Sequence, residues 1–497
     1  MTSWIGFHCL SALLCSAASF KAFPADFQWS TATSSFQVEG GQENTGRGMS
    51  IWDRYIQKHP TPDNSTGKIA CDTYHKFRED SLLLQDIGVK QYRFSISWPR
   101  IMPEGRPDKI NLEGVWYYHQ LIDSLLSKGI QPLVTIYHWD LPLTLSDRGG
   151  WLNGEIVDWF GDYARFLFRE YGGKVKFWTT VNEAYVHAKY GYCGEPLEHA
   201  PGGFKPNCEW TMYLAAHHLI LAHSKAGNIY KKEFQPNQKG QIGMTIQAVW
   251  YEHEDKPADR EAAARVFDFQ FSWFAHPIYS KEGDYPLRMR EQLSKLSHEE
   301  GRSASRLPSF TPQQIKEIRN SADFLSLNYY TSYVVTQDLP VNNTVQEWGK
   351  LTQWGRDIGA YISVNPHWKQ IAGTWLRSHP KGLREILNFI RTNYDNIPVY
   401  ITENGCMDEP SEGLKDVTRI QYVGDHLLAV HGAIAEDGCD VRGYVLWSFL
   451  DNFEWAFGYH DRFGLFHVEF KSPERTRTAK ASVEWYKRVI AANGLSD

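Results

Sequence analysis

The 497-residue sequence is poor in cysteine, with seven in all. None of them forms a Cys-x-x-Cys pair or a His/Cys cluster with metal spacing, so we expect no metal and no other cofactor. It also has no excess of positive charge, since 52 Lys and Arg face 58 Asp and Glu. The formal charge of −6 therefore indicates neither a nucleic-acid partner nor binding to an anionic membrane surface.

Long apolar runs are missing too, except for one near the amino terminus, from Trp4 to Phe20. This run is short for a bilayer span, which needs about 20 apolar residues, and it ends in the small residues 16–19. It predicts a cleaved secretory signal peptide over residues 1–19 and therefore a secreted, extracellular protein. The alternative is a buried helix, because the first three residues lack the usual Lys or Arg.

Secretion changes the interpretation of the cysteines. Five would remain after cleavage, which leaves at least one thiol without an intramolecular partner. Cys193 and Cys208 flank a loop rich in glycine and proline and are the candidate disulfide, with two unrelated thiols as the alternative. Two sequons, at Asn64 and Asn342, lie in polar stretches and are candidate glycan acceptors in a secreted protein, and the sequence leaves their occupancy open.

The remaining chain, residues 20–497, contains no linker, charge block or repeat that would divide it. Short β-rich runs alternate with longer stretches whose apolar residues recur at three and four, the helix period. This alternation predicts a single α/β domain, a (β/α)8 TIM barrel with long βα-loop insertions. The eight predicted strands are Phe27–Thr33, Gln91–Ser97, Leu133–His138, Phe177–Asn182, Gln241–Val249, Phe324–Tyr329, Val399–Thr402 and Gly443–Trp447.

Polar and aromatic residues stand where these runs end, which is the catalytic face of such a barrel. The endings are Arg93, His138-Trp139, Asn182-Glu183, Asn328-Tyr329-Tyr330, Glu403-Asn404 and Trp447. Glu183 and Glu403, on the fourth and seventh strands, would face each other across the barrel mouth. Paired carboxylates are what glycosidic bond cleavage requires, although either one alone is more simply a surface charge. Aromatic residues make up 14% of the chain and suit both core packing and stacking on sugars.

Seven ordered motifs strengthen this interpretation. They are FQVEG (36–40), YRFSISW (92–98), YHWDLP (137–142), TVNE (180–183), NYYT (328–331), ITENG (401–405) and WSFLDNFEW (447–455). With them the chain closely resembles the family-1 glycoside hydrolases, the β-glucosidase family, over nearly all of its length.

The resemblance implies a retaining mechanism. Glu403 would be the nucleophile that forms a covalent glycosyl-enzyme, and Glu183 the acid that later acts as the base. Arg93 and Tyr330 match the family positions that hold the nucleophile ionised and aimed. If the two carboxyl groups lie close together, the charge of one raises the pKa of the other, so that Glu183 stays protonated near neutral pH.

The resemblance also assigns the sugar site. Gln37, His138, Asn182 and Glu454 would hydrogen-bond the hydroxyls of the terminal sugar, with Trp447 as the stacking floor and Trp455 on the far side. The other expected substrate-binding residues are Trp139, Asn328, Trp375 and Phe463. Relatives that act on 6-phosphorylated sugars lack a carboxylate at the position of Glu454, so the implied substrate is a neutral β-glycoside. The leaving group would meet variable loops near His187, Tyr192, Phe204, Trp375 and Phe457.

Three functions are compatible with these motifs. The first is a secreted β-glucosidase acting on cellobiose-like oligosaccharides or plant glucosides. The second is a thioglucosidase or another hydrolase of defence glucosides; Glu183 argues against the plant type, which lacks it. The third is a non-catalytic binding domain like the klotho proteins, which have lost catalytic carboxylates that this chain retains. The sequence leaves open the leaving group, the choice among glucose, galactose and fucose, and the oligomeric state.

Overall fold

A computed structural model describes residues 20–495, apart from residues 43, 196 and 339–351. The predicted signal peptide, with Cys9 and Cys15, and the sequon at Asn342 lie outside the described residues. Among the helices of the described part, none is long and apolar enough to cross a membrane.

Eight parallel strands form a closed barrel, which confirms the predicted fold. Each strand pairs with the next along the chain, β8 pairs with β1, and the barrel is continuous between β5 and β6. The strands are β1 (Gln28–Ala32), β2 (Gln91–Ser95), β3 (Gln131–Tyr137), β4 (Phe177–Asn182), β5 (Gln241–Glu252), β6 (Phe324–Thr336), β7 (Val399–Asn404) and β8 (Val441–Leu446).

The predicted strands agree with these bounds to within one or two residues, with two exceptions. β5 and β6 continue past their predicted ends at Val249 and Tyr329 because they pair with each other as far as Glu252 and Val334. β6 then pairs with a short antiparallel strand, Tyr361–Ser363. These extensions carry the sheet beyond the barrel rim and build one side of the opening.

Helices surround the barrel and bury apolar faces against it, as in the helix after β3, which buries Trp159, Phe160 and Leu167. The longer helices are Thr73–Ile87, Leu112–Leu126, Ile156–Tyr171, Cys208–Ile229, Pro257–Asp268, Leu287–Glu299, Pro380–Asn393, Val417–Ala435 and Ala481–Ala492. The shorter α-helices are Ser35–Val38, Ile51–Lys58, Trp98–Ile101, Leu143–Ser146, Ala184–Val186, Gln235–Gln238, Ser272–Tyr279, Pro312–Ile318 and Gln353–Ile358. The 3₁₀ turns are Gly150–Leu152, Gly413–Lys415 and Trp455–Phe457, and the π-helical turns are His187–Gly191 and Tyr230–Phe234.

Two further strand pairs lie outside the barrel. Lys21–Ala22 pairs with Gly494–Leu495, and Phe466–Val468 pairs with Arg477–Ala479. The first pair ties together the two ends of the described chain.

The predicted disulfide joins Cys193 and Cys208 and closes the loop between them. Of the described cysteines, Cys71, Cys406 and Cys439 are buried free thiols. The disulfide lies in the insertion after β4, so it stabilises a loop at the catalytic end of the barrel.

Candidate active site

A cavity of about 410 Å³ opens at the carboxyl ends of the strands, and both predicted carboxylates line it. Glu403 belongs to β7, and Glu183 directly follows β4. At Glu183 the backbone turns into the left-handed region (φ +45°), while its N–H still donates to the Thr245 carbonyl of β5. This turn ends the strand and starts the helix Ala184–Val186. The two side chains are buried yet face the same space, with 7% and 4% of their surface exposed.

Glu403 is held from two sides. Arg93 Nη1 donates to one carboxylate oxygen at 2.5 Å, and the Tyr330 hydroxyl donates to the other at 2.8 Å. Burial, followed by the charge of Glu403, raises the pKa of Tyr330 well above its usual value, so the phenol keeps the proton that it donates. Charge-assisted bonds of this kind stabilise the ionised carboxylate and fix its direction.

Glu183 has a different environment. Burial raises its pKa, and the charge of Glu403 raises it further, against smaller opposing effects of the Asn328 hydrogen bond and Arg93. Asn328 Nδ2 donates to Glu183 Oε1 at 2.7 Å. Glu183 therefore holds a proton near neutral pH, whereas Glu403 is ion-paired with Arg93. This difference matches the division of roles between an acid and a nucleophile.

Asn182 lies between Arg93 and His138 and contacts both of them. Its side-chain oxygen accepts from Arg93 at 2.6 Å, and its amide nitrogen lies 3.0 Å from His138 Nε2. Burial and the charge of Arg93 lower the pKa of His138 well below its usual value, so the imidazole is neutral. If Nε2 accepts from Asn182, Nδ1 carries the proton, and this buried nitrogen has no partner among the described residues.

A third carboxylate, Glu454, lies in the same cavity. Gln37 Nε2 donates to it at 2.9 Å and to Asn452 at the same distance. Burial, together with the charges of Asp461 and Glu403, raises the pKa of Glu454 to about 8. A largely protonated Glu454 can donate as well as accept hydrogen bonds, which suits recognition of a neutral hydroxyl.

Aromatic rings form the walls. The rings of Trp139 and Trp455 lie 4.7 Å apart, and that of Trp447 lies 6.1 Å from His138. Trp375 stands at the opening with 40% of its surface exposed. Flat apolar rings around a few polar groups are typical of a site for sugars and their substituents.

The structure brings most of the predicted site residues to the cavity wall. These are His138, Trp139, Asn182, Glu183, Tyr330, Trp375, Glu403, Trp447, Glu454, Trp455, Phe457 and Phe463. Arg93, Gln37 and Asn328 lie behind the wall and hydrogen-bond its carboxylates.

Three expected leaving-group residues do not line the cavity. His187 is buried against the hydroxyl of Tyr137 at 3.0 Å, and Phe204 stacks on Tyr192 at 5.3 Å. All three residues follow Glu183 in the insertion after β4, and they pack this loop onto the barrel instead of facing the opening. The expectation that the leaving group meets these three residues was therefore wrong.

Other wall residues were missed in the sequence. They are Tyr185, Val186, Tyr190, Leu197, His199, Gln247, Val249, Tyr251, Thr331, Tyr333, Trp354 and Ile362. A signal was present for five of them, because Gln247, Val249 and Tyr251 alternate along β5, and Thr331 and Tyr333 alternate along β6. Ending the predicted strands at Val249 and Tyr329 left the last three of these residues outside that alternation.

Comparison with known proteins agrees with this site. The model of glycosyl hydrolase family 1 matches residues 19–495. An aphid myrosinase structure is 39% identical, with a TM-score of 0.88, over 95% of this chain and 99% of that one. The human lactase-like protein is 40% identical over 484 residues, 96% of this chain and 83% of the relative. A mutant of a rice β-glucosidase, solved in a covalent complex with Glc, is 38% identical with a TM-score of 0.85, over 94% and 98% of the two chains.

The chain belongs to glycosyl hydrolase family 1. Within this family it is a retaining glycoside hydrolase of the β-glucosidase class.

The raised pKa of Glu183 predicts the alkaline side of the pH profile. Below that pKa the acid is protonated and active, so kcat/KM for an alkyl β-glucoside should stay level through neutral pH. Above it, kcat/KM should fall about tenfold per pH unit. In a Glu183→Gln variant assayed with the same alkyl β-glucoside, this alkaline decrease should be absent from the residual activity. An unchanged decrease in that variant would assign it to another group.

Proposed function

We propose that the protein hydrolyses terminal, non-reducing β-D-glucosyl residues of small glycosides by double displacement. The observation that carries this proposal is the pair Glu183 and Glu403 in one cavity, one protonated by its environment and the other held ionised by Arg93 and Tyr330. Two carboxyl groups in these two states are what a retaining glycosidase needs.

In the first step Glu403 attacks the anomeric carbon while Glu183 gives its proton to the glycosidic oxygen. The bond between carbon and oxygen breaks, the leaving group departs as an alcohol, and glucose stays esterified to Glu403. Esterification removes the negative charge that raised the pKa of Glu183. Glu183, now ionised, takes a proton from water, which attacks the anomeric carbon and releases glucose and the free Glu403 carboxylate.

The polar groups around the carboxylates support a neutral hexose. Asn182 and Glu454 line the cavity and offer donors and acceptors for its hydroxyls. Trp447 supplies an apolar surface for the sugar ring. A phosphate on the sugar would be repelled by the Glu403 carboxylate, which lines the same cavity.

The outer part of the cavity supports an apolar leaving group. Its wall combines aromatic and aliphatic side chains: Tyr190, Leu197, Val249, Tyr251, Tyr333, Trp354, Ile362, Trp375 and Phe457. Such a wall stabilises an aryl or alkyl aglycone by burial. We therefore place plant β-glucosides with apolar aglycones ahead of cellobiose-like oligosaccharides.

A thioglucosidase is the second candidate, favoured by the similarity to aphid myrosinase. A sulfur leaving group needs less protonation than an alkoxide, so a protonated Glu183 adds most to the hydrolysis of O-glycosides. For this reason O-glycosides come first in the proposal.

We also propose that the protein is secreted through the signal peptide at residues 1–19. The disulfide between Cys193 and Cys208 supports an oxidising compartment. The sequon residue Asn64 lies in an exposed turn, where a glycan could be attached.

A panel of substrates tests the proposed function. We expect kcat/KM for nitrophenyl and octyl β-glucosides to exceed that for cellobiose by about tenfold or more, since only apolar groups gain from the outer wall. The matched α-glucosides should not be cleaved. Higher kcat/KM for a glucosinolate than for every O-glucoside would favour the thioglucosidase, and no cleavage of any β-glycoside would refute both.

A further inference from the structure

One turn, residues 454–459, brings three side chains to the cavity: Glu454, Trp455 and Phe457. The turn closes on itself, since the N–H of Glu454 donates to the carbonyl of Gly458 at 2.7 Å and that of Phe457 donates to the carbonyl of Glu454 at 2.8 Å. The position of its outer end therefore affects both Glu454 in the sugar site and Phe457 in the leaving-group site.

The inner part of the turn is fixed by the core. The ring of Trp455 stacks on Phe36, with centroids 5.7 Å apart and planes at 5°, and packs against Trp52 at 4.8 Å. Gln37 holds the carboxyl group of Glu454. The outer end, Gly458 and Tyr459, lies beyond these contacts.

A segment almost 400 positions earlier in the chain, residues 61–66, holds that outer end. One oxygen of Asp63 accepts the Tyr459 N–H at 3.0 Å, and the Tyr459 hydroxyl donates to the carbonyl of Thr66 at 3.0 Å. The other oxygen of Asp63 accepts the hydroxyl of Thr61 at 2.8 Å and the N–H of Ser65 at 3.1 Å. Asp63 is thus fixed by its own turn while it binds the distant one.

Asp63 is ionised in this position. Its partial burial raises the pKa, but the hydrogen bonds from Ser65, Tyr459 and Thr61 outweigh that effect and leave the pKa below its usual value. A hydrogen bond to an ionised acceptor is stronger than one between neutral groups. The hydrogen bond that Asp63 accepts from the Tyr459 backbone N–H is therefore suited to fixing a loop.

The fit between the two segments is close. Gly458 has φ +67°, and a Cβ there would lie 2.3 Å from Asp63 Oδ1 and 2.5 Å from the Ser65 hydroxyl. The ring of Tyr459 also stacks on Phe470, with centroids 3.9 Å apart. Both the backbone conformation and the available space therefore require glycine at this contact.

We propose that Asp63, Thr66 and Tyr459 form a latch that positions the turn 454–459 for substrate binding. Asp63 and Tyr459 are then positioning residues, and they act through Glu454 on the sugar and through Phe457 on the leaving group. The inference rests on the proposed function. It assigns to residues outside the cavity a part in selecting the substrate.

The test compares Asp63→Ala with Asn64→Gly in the same turn, both produced without glycosylation. Asn64 is exposed, has φ +55°, and its side chain makes no hydrogen bond within the described residues, so glycine there should leave the kinetics unchanged. For Asp63→Ala we expect KM for nitrophenyl β-glucoside to rise about tenfold with kcat within about twofold. The preference for glucoside over xyloside should fall, because xylose lacks the hydroxymethyl group near which the resemblance places Glu454.

A second variant and a double mutant keep the proposal testable if Asp63→Ala folds poorly. Tyr459→Phe removes only the bond to the Thr66 carbonyl and should raise KM about twofold to threefold. In a Glu454→Gln background, Asp63→Ala should have a smaller effect on KM than in the wild type, because the latch acts partly through Glu454.

Two results would overturn the latch: an unchanged KM and sugar preference in both single variants, or full additivity with Glu454→Gln. Failure of the proposed function would be seen separately, as a wild-type protein that cleaves no β-glucoside at all.

Discussion

Replacing Glu403 by Gln should lower kcat on every substrate by about four orders of magnitude or more. The amide cannot form the glycosyl ester, and it leaves Arg93 with a neutral partner in a buried site. The measurement is kcat with dinitrophenyl β-glucoside, combined with mass spectrometry of the quenched enzyme. The wild type treated with a 2-fluoro glucoside should gain the mass of one sugar, and the variant should not.

Tyr330→Phe is the matched control for this prediction. It removes one hydrogen bond to Glu403 but leaves the nucleophile and Arg93 in place. We expect a smaller loss, about tenfold to a hundredfold, with the covalent adduct still formed. If Glu403→Gln retained more than about 1% of wild-type kcat, or still gained the sugar, Glu403 would not be the nucleophile.

Replacing Glu183 by Ala should have an effect that depends on the leaving group. An alkyl β-glucoside needs a proton on its departing oxygen, so kcat/KM should fall by about three orders of magnitude or more. Dinitrophenolate needs no proton, so formation of the glycosyl-enzyme from dinitrophenyl β-glucoside should change little. Its hydrolysis should then become slow, because the base is also missing, and azide should accelerate turnover by attacking the intermediate.

The product of that rescue decides the stereochemistry. Attack by azide on a glycosyl-enzyme formed with inversion returns the β configuration, so β-glucosyl azide is expected. Asn328→Ala provides a comparison, because it removes the hydrogen bond to Glu183 and keeps the carboxyl group. Equal losses on alkyl and dinitrophenyl substrates would contradict the acid role of Glu183, and an α-azide would contradict retention.

The barrel itself was predictable because several strands are apolar-rich runs that end at polar residues. β4 was predicted with the observed bounds, because residues Phe177 to Val181 are apolar or β-branched and the polar pair Asn182-Glu183 follows them. The polar residues at the strand ends also predicted the part of the cavity that holds Glu183 and Glu403. In a closed parallel barrel, strand ends that are distant in sequence must meet around one opening.

The outer part of the cavity, where we place the leaving group, was less predictable because segments that are distant in sequence build its wall together. Leu197 reaches the cavity from the loop closed by the disulfide, and Trp354 reaches it from a short helix more than 150 residues later. Neither residue belongs to a hydrophobic repeat or a motif that indicates its role. The latch is similar: nothing in the local sequence of Asp63 indicates that it accepts a hydrogen bond from the backbone of Tyr459.

The cavity therefore has two halves of different construction. Arg93, Glu183, Tyr330 and Glu403 lie in or directly after strands of the closed barrel. Many of the residues that we propose to contact the leaving group lie instead in insertions outside the barrel. Insertions can diverge or be exchanged with little effect on the barrel strands. The scaffold thus allows recombination of insertions to generate new aglycone preferences around unchanged cleavage chemistry.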